Sequence, residues 1–518
     1  MAVENTGKTI ARAAGVVLVM NLISRVLGFV RDAAIAGQFG ASALTDAYWV
    51  AYTIPFFLQA IFGVAFVSVM VPIFTSYIEA DKREEGWKIA SGIFNLTAIT
   101  LVIITVLGYW GAPLLVKLTA PGFSEELAVL TTDLTRIMFP SIVFMGLGML
   151  ITGILNSFQI FALPAFAPGT ANIIVILSVL FFGGLFGIEA LAWGTLVGFG
   201  LFLLVQVPTL YRMRFKYSFR FYHKHPAVRK FSTSVWAVVL GMSVNQIYLT
   251  LNRIFASGLE PGSISALNYA YRLMSLPLGI FAAAVATVIF PSLAHHASAK
   301  QQKQMSITLM RGLRLVLFIT IPAAVGMAVL QVPLVKLLFE RGAFAPQDTL
   351  MTANSLMYFV MGLPALGINL VVTRAFYALD DVKTPVVTGL ISVGVNILFS
   401  LLFLNFLKAG GLALADTLAA AANAGLMMYY LGRNNKQFSF KPVLKPFLKM
   451  AAASFVTGLA AWGVFTVGQS TLFASGIINY MLNTVIAVGV GALAYGIMVA
   501  LFRLEEAGEI LAVVRKIK

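Results

Sequence analysis

The sequence predicts an all-α polytopic membrane protein with 14 transmembrane helices, built as two pseudo-symmetric six-helix lobes plus two extra C-terminal helices. Three observations predict it. First, 59% of the 518 residues are hydrophobic and only 11% are charged, with a mean hydropathy of +0.91; a soluble domain carries about twice that share of charge. Second, apolar runs of about 20 residues recur along the chain, the length a helix needs to cross a bilayer. They are too long for barrel strands, the other structure that satisfies its own backbone in lipid. Third, segments repeat at an offset of about 220 residues, and repeats define architecture. APLLVKL at 112–118 returns as VPLVKLL at 332–338, and LNSFQIFALP at 155–164 as FYALDDVKTP at 376–385, with Pro164 answering Pro385. The span opening with Asp46 and passing Pro55 and Pro72 matches the one opening with Asn268 and passing Pro277 and Pro291. Six spans separate the copies. An even number keeps them in one orientation, so the repeat is parallel, about an axis along the membrane normal.

In chain order the spans cover 11–37, 44–76, 88–110, 128–155, 162–186, 189–211, 232–257, 263–294, 308–332, 349–378, 385–406, 410–431, 450–468 and 476–502. Residues 1–211 form the N-lobe, 212–231 a basic linker and 232–431 the C-lobe. A loop at 432–449 leads to spans 13 and 14 within 450–502, and 503–518 reads as an amphipathic tail. The opening MAVENTGKTIARAAG lacks a small-residue cleavage site, so no removable signal peptide is expected. With no cysteine in the chain, disulfides, thiolate metal sites and cysteine nucleophiles are excluded.

The basic residues set the orientation. With a cytoplasmic N-terminus, the inner loops, tails and adjoining span ends hold 24 of the 36 Lys and Arg, and the outer loops hold only Lys117, Lys336, Arg341 and Lys408. Both termini are therefore expected in the cytoplasm. The same distribution accounts for the net charge of +16 as a collar facing anionic lipid rather than a nucleic-acid surface.

Within this apolar frame, Ser24 to Asp46 stands out. Arg25, Arg31 and Asp32 lie inside span 1, and Asp46 opens span 2. An Arg or Asp at mid-helix costs roughly 2.5–3.5 kcal/mol on insertion scales. The default meaning is a polar cavity for an ionic substrate; the alternative is an internal Arg31–Asp32 pair or a snorkelling arginine. Arg31 and Asp32 lie about 8–9 Å from the outer end of their span, Arg25 about 18 Å and Arg272 of span 8 about 14 Å, so both lobes offer cations at overlapping depths. Gly28 could bend span 1 and turn both arginines inward, or serve close packing. Arginine binds phosphate bidentately and stays charged. Three arginines against one nearby aspartate suit a diphosphate better than a cationic drug.

These residues carry a family resemblance. SRVLGFVRDAAIAGQFGASALTDAYWVAY from Ser24, NYAYRLMSLPLGIF at 268–281, APGF at 120–123 and LPAFAPGTANI at 163–173 resemble the MurJ (MviN) family of bacterial lipid II flippases, in the multidrug/oligosaccharidyl-lipid/polysaccharide exporter superfamily. The resemblance covers essentially the whole chain. It implies a cargo of undecaprenyl-diphosphate-linked disaccharide-pentapeptide, moved from the inner to the outer leaflet of the cytoplasmic membrane. It implies cavity arginines at Arg25, Arg31 and Arg272, acidic cavity or gating positions at Asp32 and Asp46, and cell-wall synthesis proteins as further partners. The chain departs from the family at Gln59-Ala60, where some members carry a basic pair, and at FGVAF 62–66, which lacks a glutamate. Spans 13 and 14 are apolar in their cores, as expected for a pair bordering a groove for the polyprenyl tail or for an ordinary lipid-facing pair.

Other polar residues divide between two readings. Asp416 of span 12, Asn396 and Ser400 four apart on span 11, and Asn252 of span 7 form either an oxygen-ligand site for a monovalent cation or a set of interhelical hydrogen bonds. Coupling would then come from that cation or from the membrane potential. Asp133 and Arg136 are spaced to pair, and Arg253 and Arg374 to snorkel. His223, His225, His295 and His296 lack partners for a metal site. The classes that remain are a lipid-linked-oligosaccharide flippase, for lipid II or another polyprenyl-linked cargo, a cation-coupled exporter of small molecules, and an intramembrane enzyme on a polyprenyl lipid. The enzyme needs a convergent acid, base or nucleophile set, and the sequence offers none. No phosphate-cradling glycine loop points to direct ATP use.

The topology is testable by single cysteines in this cysteine-free chain. Ser42→Cys and Ser470→Cys should react with an impermeant thiol reagent applied to intact cells, and Ser218→Cys should not. Reaction at position 218 would reverse the orientation.

Overall fold

The structure is a computed structural model that describes residues 2–434, 437–471 and 476–508; side chains at 2–14, 18, 59–60, 237, 240–249, 434, 471 and 477 lie outside that description. The Gln59-Ala60 departure therefore falls on side chains not described, and the expected tail at 503–518 leaves the described residues after 508. In order the helices are α1 (Ala2–Phe39), α2 (Ala43–Glu79), α3 (Arg83–Thr119), α4 (Glu125–Met138), α5 (Ser141–Ser157), α6 (Ala162–Phe186), α7 (Glu189–Leu204), α8 (Val207–Arg212), α9 (Pro226–Ala256) and α10 (Ser263–Pro277). A wider π-helical turn at Leu278–Ala282 joins α10 to α11 (Ala283–Ser298). Then follow α12 (Gln302–Val329), α13 (Gln331–Phe339), α14 (Pro346–Met361), α15 (Leu363–Ala378), α16 (Lys383–Asn434), α17 (Lys441–Thr471) and α18 (Ile477–Leu501).

Every predicted span falls on a helix or a broken helix pair. Among the described residues ten helices are long and apolar enough to cross a membrane, or eleven with α14 and α15 taken as one span bent by 44°. The α16 stretch holds two predicted spans, divided where Lys408 leaves helical geometry at φ 50°, ψ −126°, and its halves fold back on each other, with Ser392 hydrogen-bonded to the Ala419 carbonyl and Asn396 to Asp416. The remaining two lie on α1 and α9, outside that set. Fourteen crossings is thus the reading of the sequence, and ten or eleven is what helix length and composition establish. The short α13 was not anticipated.

The repeat is visible in the turns. Gln159 and Asp380 occupy matching positions of the second repeated segment, and both adopt positive φ, 61° and 58°. Each turn closes with the same hydrogen bond reaching back five residues, Ile160 N to Leu155 O at 2.9 Å and Asp381 N to Phe376 O at 3.0 Å. A second pair, Asp81 at 54° and Lys300 at 55°, ends α2 and α11 the same way. These are helix C-caps in the left-handed conformation, which satisfy carbonyls the helix leaves open.

The chain forms two compact units: Met1–Ser265 with Arg341–Phe344, and Ala266–Glu340 with Ala345–Lys518. In the first, α1 packs on α6, α2 on α5, and α6 on α7. The helix α9, which the repeat assigns to the second lobe, packs here on α2 and α3. An aromatic cluster of Phe74, Trp87 and Phe158 closes one end of that unit's core. In the second unit α12 packs on α15 and α17, α17 on α18, and α14 and α15 on α16.

Candidate functional site

The charged residues of span 1 divide sharply. Arg25 is exposed, whereas Arg31 and Asp32 are 9% and 3% exposed. Neighbouring residues on a helix point about 100° apart, so the Arg31 side chain must fold back to reach Asp32. It does: Nε and Nη2 both donate to Asp32 Oδ1, at 2.9 and 2.7 Å. Nη1 donates to Asn172 Oδ1 of α6 at 3.1 Å. The guanidinium carbon lies 5.9 Å from the Trp49 ring centre and 6.0 Å from that of Tyr52, both on α2. Arg31 thus joins three helices, with hydrogen bonds on all three of its nitrogens. The internal pair that the sequence left as an alternative is present, and Asp32 orients Arg31.

Asn172 also donates through Nδ2 to the Ser24 carbonyl at 3.3 Å, so one amide ties α6 to α1 twice. Tyr48 and Thr195 share a hydrogen bond at 3.0 Å one turn away. Gly28 is buried within α1, which stays helical through it. Of the two roles the sequence allowed it, close packing has support: α1 packs on α6, where Leu27 fits against Gly169.

Asp46 has a different role. From the first turn of α2 its Oδ2 accepts from Gly262 N at 2.7 Å, and its Oδ1 from Ser265 N and Oγ at 2.7 and 2.6 Å. These donors open α10, so Asp46 caps a helix far away in sequence, supplying the negative charge that a helix N-terminus favours. Gly262 permits this at φ +89°, with its Cα pressed on the Ala41 carbonyl where a side chain would collide.

Arg253 was expected to snorkel. It is instead half-buried on α9 and within electrostatic reach of Tyr52, the ring that also lies under Arg31. Sequence reasoning missed its Tyr52 neighbour, and missed Asn172 altogether. The signal available for Asn172 was an amide in an otherwise apolar span, inside a motif already singled out. Arg374 does find an aromatic neighbour, its guanidinium 5.7 Å from the Phe290 ring. Asp133 and Arg136 pair at 3.2 Å as expected.

In the second unit Arg272 is half-buried on α10. Asn396 and Ser400 are fully buried on α16. Asn396 Nδ2 donates to Asp416 Oδ1 at 2.7 Å, while Asn396 Oδ1 and Ser400 Oγ meet no hydrogen-bonding partner. Asn252 lies on α9 in the first unit. Among the described residues no group of three His, Cys, Asp or Glu could hold a metal ion.

With this geometry in place, the family profile described as Lipid II flippase MurJ matches residues 35–497. The chain belongs to the MurJ family. It is similar to a probable lipid II flippase MurJ of Vibrio cholerae serotype O1, 32% identical over 513 residues that cover 94% of this chain and 95% of the relative. It is similar to another from Buchnera aphidicola subsp. Acyrthosiphon pisum, 35% identical over 413 residues, 79% of this chain and 81% of that one. Its structure matches a solved lipid II flippase MurJ in an inward closed conformation, with TM-score 0.79 and 29% identity over 93% of this chain and 98% of that chain. An inward-facing multidrug resistance MATE family transporter of the MOP superfamily shares the fold, with TM-score 0.67 and 15% identity over 83% of this chain and 99% of that one. The MurJ profile begins just after Asp32, so Arg31 and Asp32 lie outside it while Asn172, Trp49 and Tyr52 lie within.

That cluster makes a stability prediction. Breaking one side of a buried ion pair strands the other charge, at about 3–5 kcal/mol. Arg31→Met and Asp32→Leu should each lower the thermal unfolding temperature of the detergent-purified protein. The double variant should be more stable than either single one. Equal, additive losses would show that the two side chains act independently.

Proposed function

We propose that the protein is a flippase that moves undecaprenyl-diphosphate-linked peptidoglycan precursor, lipid II, from the inner to the outer leaflet by alternating access of its two lobes. It resides in the bacterial cytoplasmic membrane with both termini inside, and its work is transport rather than bond making. The observation that carries this reading is membership of the MurJ family over residues 35–497, joined to an arginine buried within an apolar helix bundle. Arg25, Arg31 and Arg272 hold the diphosphate. Asp32 keeps Arg31 in place while the site is empty, and a phosphate oxygen then takes over N–H donors at charge-assisted strength. Cell-wall synthesis proteins that consume the cargo are the partners this reading implies.

The exporter reading fits less well. A cationic drug needs carboxylate to meet it, and here Asp32 accepts from Arg31 and Asp46 from the α10 N-terminus. For coupling, Asp416, Asn396 and Ser400, with Asn252 as a further ligand, bind a monovalent cation. The two oxygens without hydrogen-bond donors, Asn396 Oδ1 and Ser400 Oγ, support this reading, since hard cations take neutral and anionic oxygens together. The ion shifts the two-lobe equilibrium only by its differential affinity for the two states. The membrane potential is the other source of drive.

Two measurements test this. Lipid II binding to purified variants, with survival of cells depleted of the wild type, tests the diphosphate clamp. Each charge-assisted contact contributes about 1.5–3 kcal/mol, so Arg31→Ala or Arg272→Ala should weaken binding about tenfold or more and fail to support growth while still accumulating in the membrane. Wild-type affinity with full survival in both would overturn the clamp. Separately, Asp416→Ala should abolish the effect of sodium on conformational distribution, read by distances between spin labels, and leave lipid II binding nearly unchanged. Undiminished ion dependence would make Asp416 a structural residue.

A further inference from the structure

Between α8 and α9 the chain runs without regular secondary structure from Phe215 to Tyr222, between turns at 213–214 and 223–224, and its attachment to the fold is specific. Ser218 N donates to Ser91 Oγ at 3.1 Å. Asn95 Nδ2 donates to the carbonyls of Ser218 and Arg220 at 2.9 and 3.1 Å, and the Tyr217 hydroxyl donates to Asn95 Oδ1. Gly92 lets the Phe221 carbonyl lie directly on α3. Met213, Phe215 and Tyr222 turn inward onto the core of the first unit. The segment is therefore a strap bound to one face of α3.

What the strap turns outward is unusual for a segment so firmly held. Phe219 is 85% exposed and Tyr217 51%. Between and beside them Arg214, Lys216 and Arg220 are exposed as well. From Arg212 to Lys230 there is no acidic residue; among the described residues the carboxylates that meet the strap are Glu84, 2.9 Å from Lys216, and Glu85, 3.4 Å from His225 at its end, which leaves Arg214 and Arg220 outward. That lysine also holds the Glu84 carboxyl below the usual carboxylate range, through its hydrogen bond and charge. The pinning residues Ser91 and Asn95 lie close to where α3 begins to show an apolar outer face, at Ile99, Val102 and Ile103. Four residues separate Asn95 from Ile99, about 6 Å along the helix. The strap thus sits at the level where an apolar span ends. Aromatic rings belong at that level, amphipathic and half-immersed, and exposed cations there meet lipid phosphates.

We propose that residues 213–225 are a membrane-docking strap that seats Phe219 and Tyr217 among lipid headgroups and binds anionic phospholipid through Arg214 and Arg220. The partner is the phosphate layer of the bilayer. Apolar rings facing outward beside a lipid-facing helix favour it over a soluble polyanion. The strap needs no new fold to bind, because its backbone is already fixed on α3 and only side chains move. It also fixes the entry of α9, whose first turn His225 caps by accepting from Ala227 N at 3.2 Å. Lipid bound here bears on a helix that packs on α2 and α3. This inference does not depend on the identity of the cargo.

The chain has no cysteine, so Phe219→Cys provides a single site for a fluorophore, and a side chain 85% exposed gives up little beyond its edge contact with the Tyr217 ring. The full-length labelled protein is placed in nanodiscs of phosphatidylcholine or phosphatidylglycerol, each carrying brominated acyl chains that quench on contact. Quenching should be at least about threefold greater with phosphatidylglycerol, and 1 M salt should remove the excess, because the screening length then falls to about 3 Å. Arg212→Gln, Arg214→Gln and Arg220→Gln together should remove it at low salt. Equal quenching in both lipids, insensitive to salt, would reduce the strap to an apolar anchor and overturn the proposal. Absence of quenching in both would overturn it entirely.

Discussion

A guanidinium inside an apolar helix bundle has to be neutralised locally, and much of the first unit is arranged around that requirement. Arg31 could not be satisfied by α1 alone, because adjacent helical residues diverge and one carboxylate covers only one side of its donor fork. The fold brings Asn172 from α6 to the remaining side and two aromatic faces from α2. Three helices are thereby held to one cation. Pairs of this kind add little net stability over a hydrophobic replacement, yet are costly to break by halves. Their presence in a bundle otherwise packed with Leu, Val and Ala points to a requirement other than stability, and the phosphate recognition proposed above is one such requirement.

Asp46 is the complementary case. It is as buried as Asp32, but its charge is met by backbone donors at a helix start rather than by a cation. A carboxylate held in this way ties the start of α10 to the start of α2. The tie consists of a few short, directional contacts, so it holds at full strength or not at all when the two helix ends separate. That all-or-none quality is what the gating role implied by the family resemblance would require of Asp46.

The architecture was legible because lipid imposes it. Backbone satisfaction makes every span a helix, and the duplicated sequence carried its turn geometry with it, down to the positive φ at Gln159 and Asp380. Neither residue is glycine, so their left-handed turns came to light only in the structure, at positions the repeat had already aligned. The site was half legible. Charge in a membrane segment singled out Arg31, Asp32 and Asp46, since it has few innocent explanations. Their partners were beyond reach, because Asn172 and residues 262–265 lie at sequence separations where no periodicity operates. Arg253 was misjudged from its nearness to a span end, which says how far a side chain can extend but not what stands beside it. Gly28 shows the same limit: a glycine permits both a bend and a close contact, and only the neighbouring helix decides.

The two polar clusters differ in a way that bears on mechanism. Around Arg31 the hydrogen bonds shown reach every guanidinium nitrogen, so an incoming anion must displace existing partners and is selected by how well it replaces them. Around Asn396 and Ser400 two buried oxygens are left without donors, each at a cost of about 1–3 kcal/mol. A protein retains such a cost where something repays it. A bound cation does, because it needs oxygen lone pairs and brings no geometric demand for an N–H. The first cluster is therefore satisfied as it stands, and the second keeps two buried oxygens in need of a partner. On the function proposed above, the first cluster selects the cargo and the second, once a cation is bound, biases the conformation, which is the division of labour a coupled flippase needs.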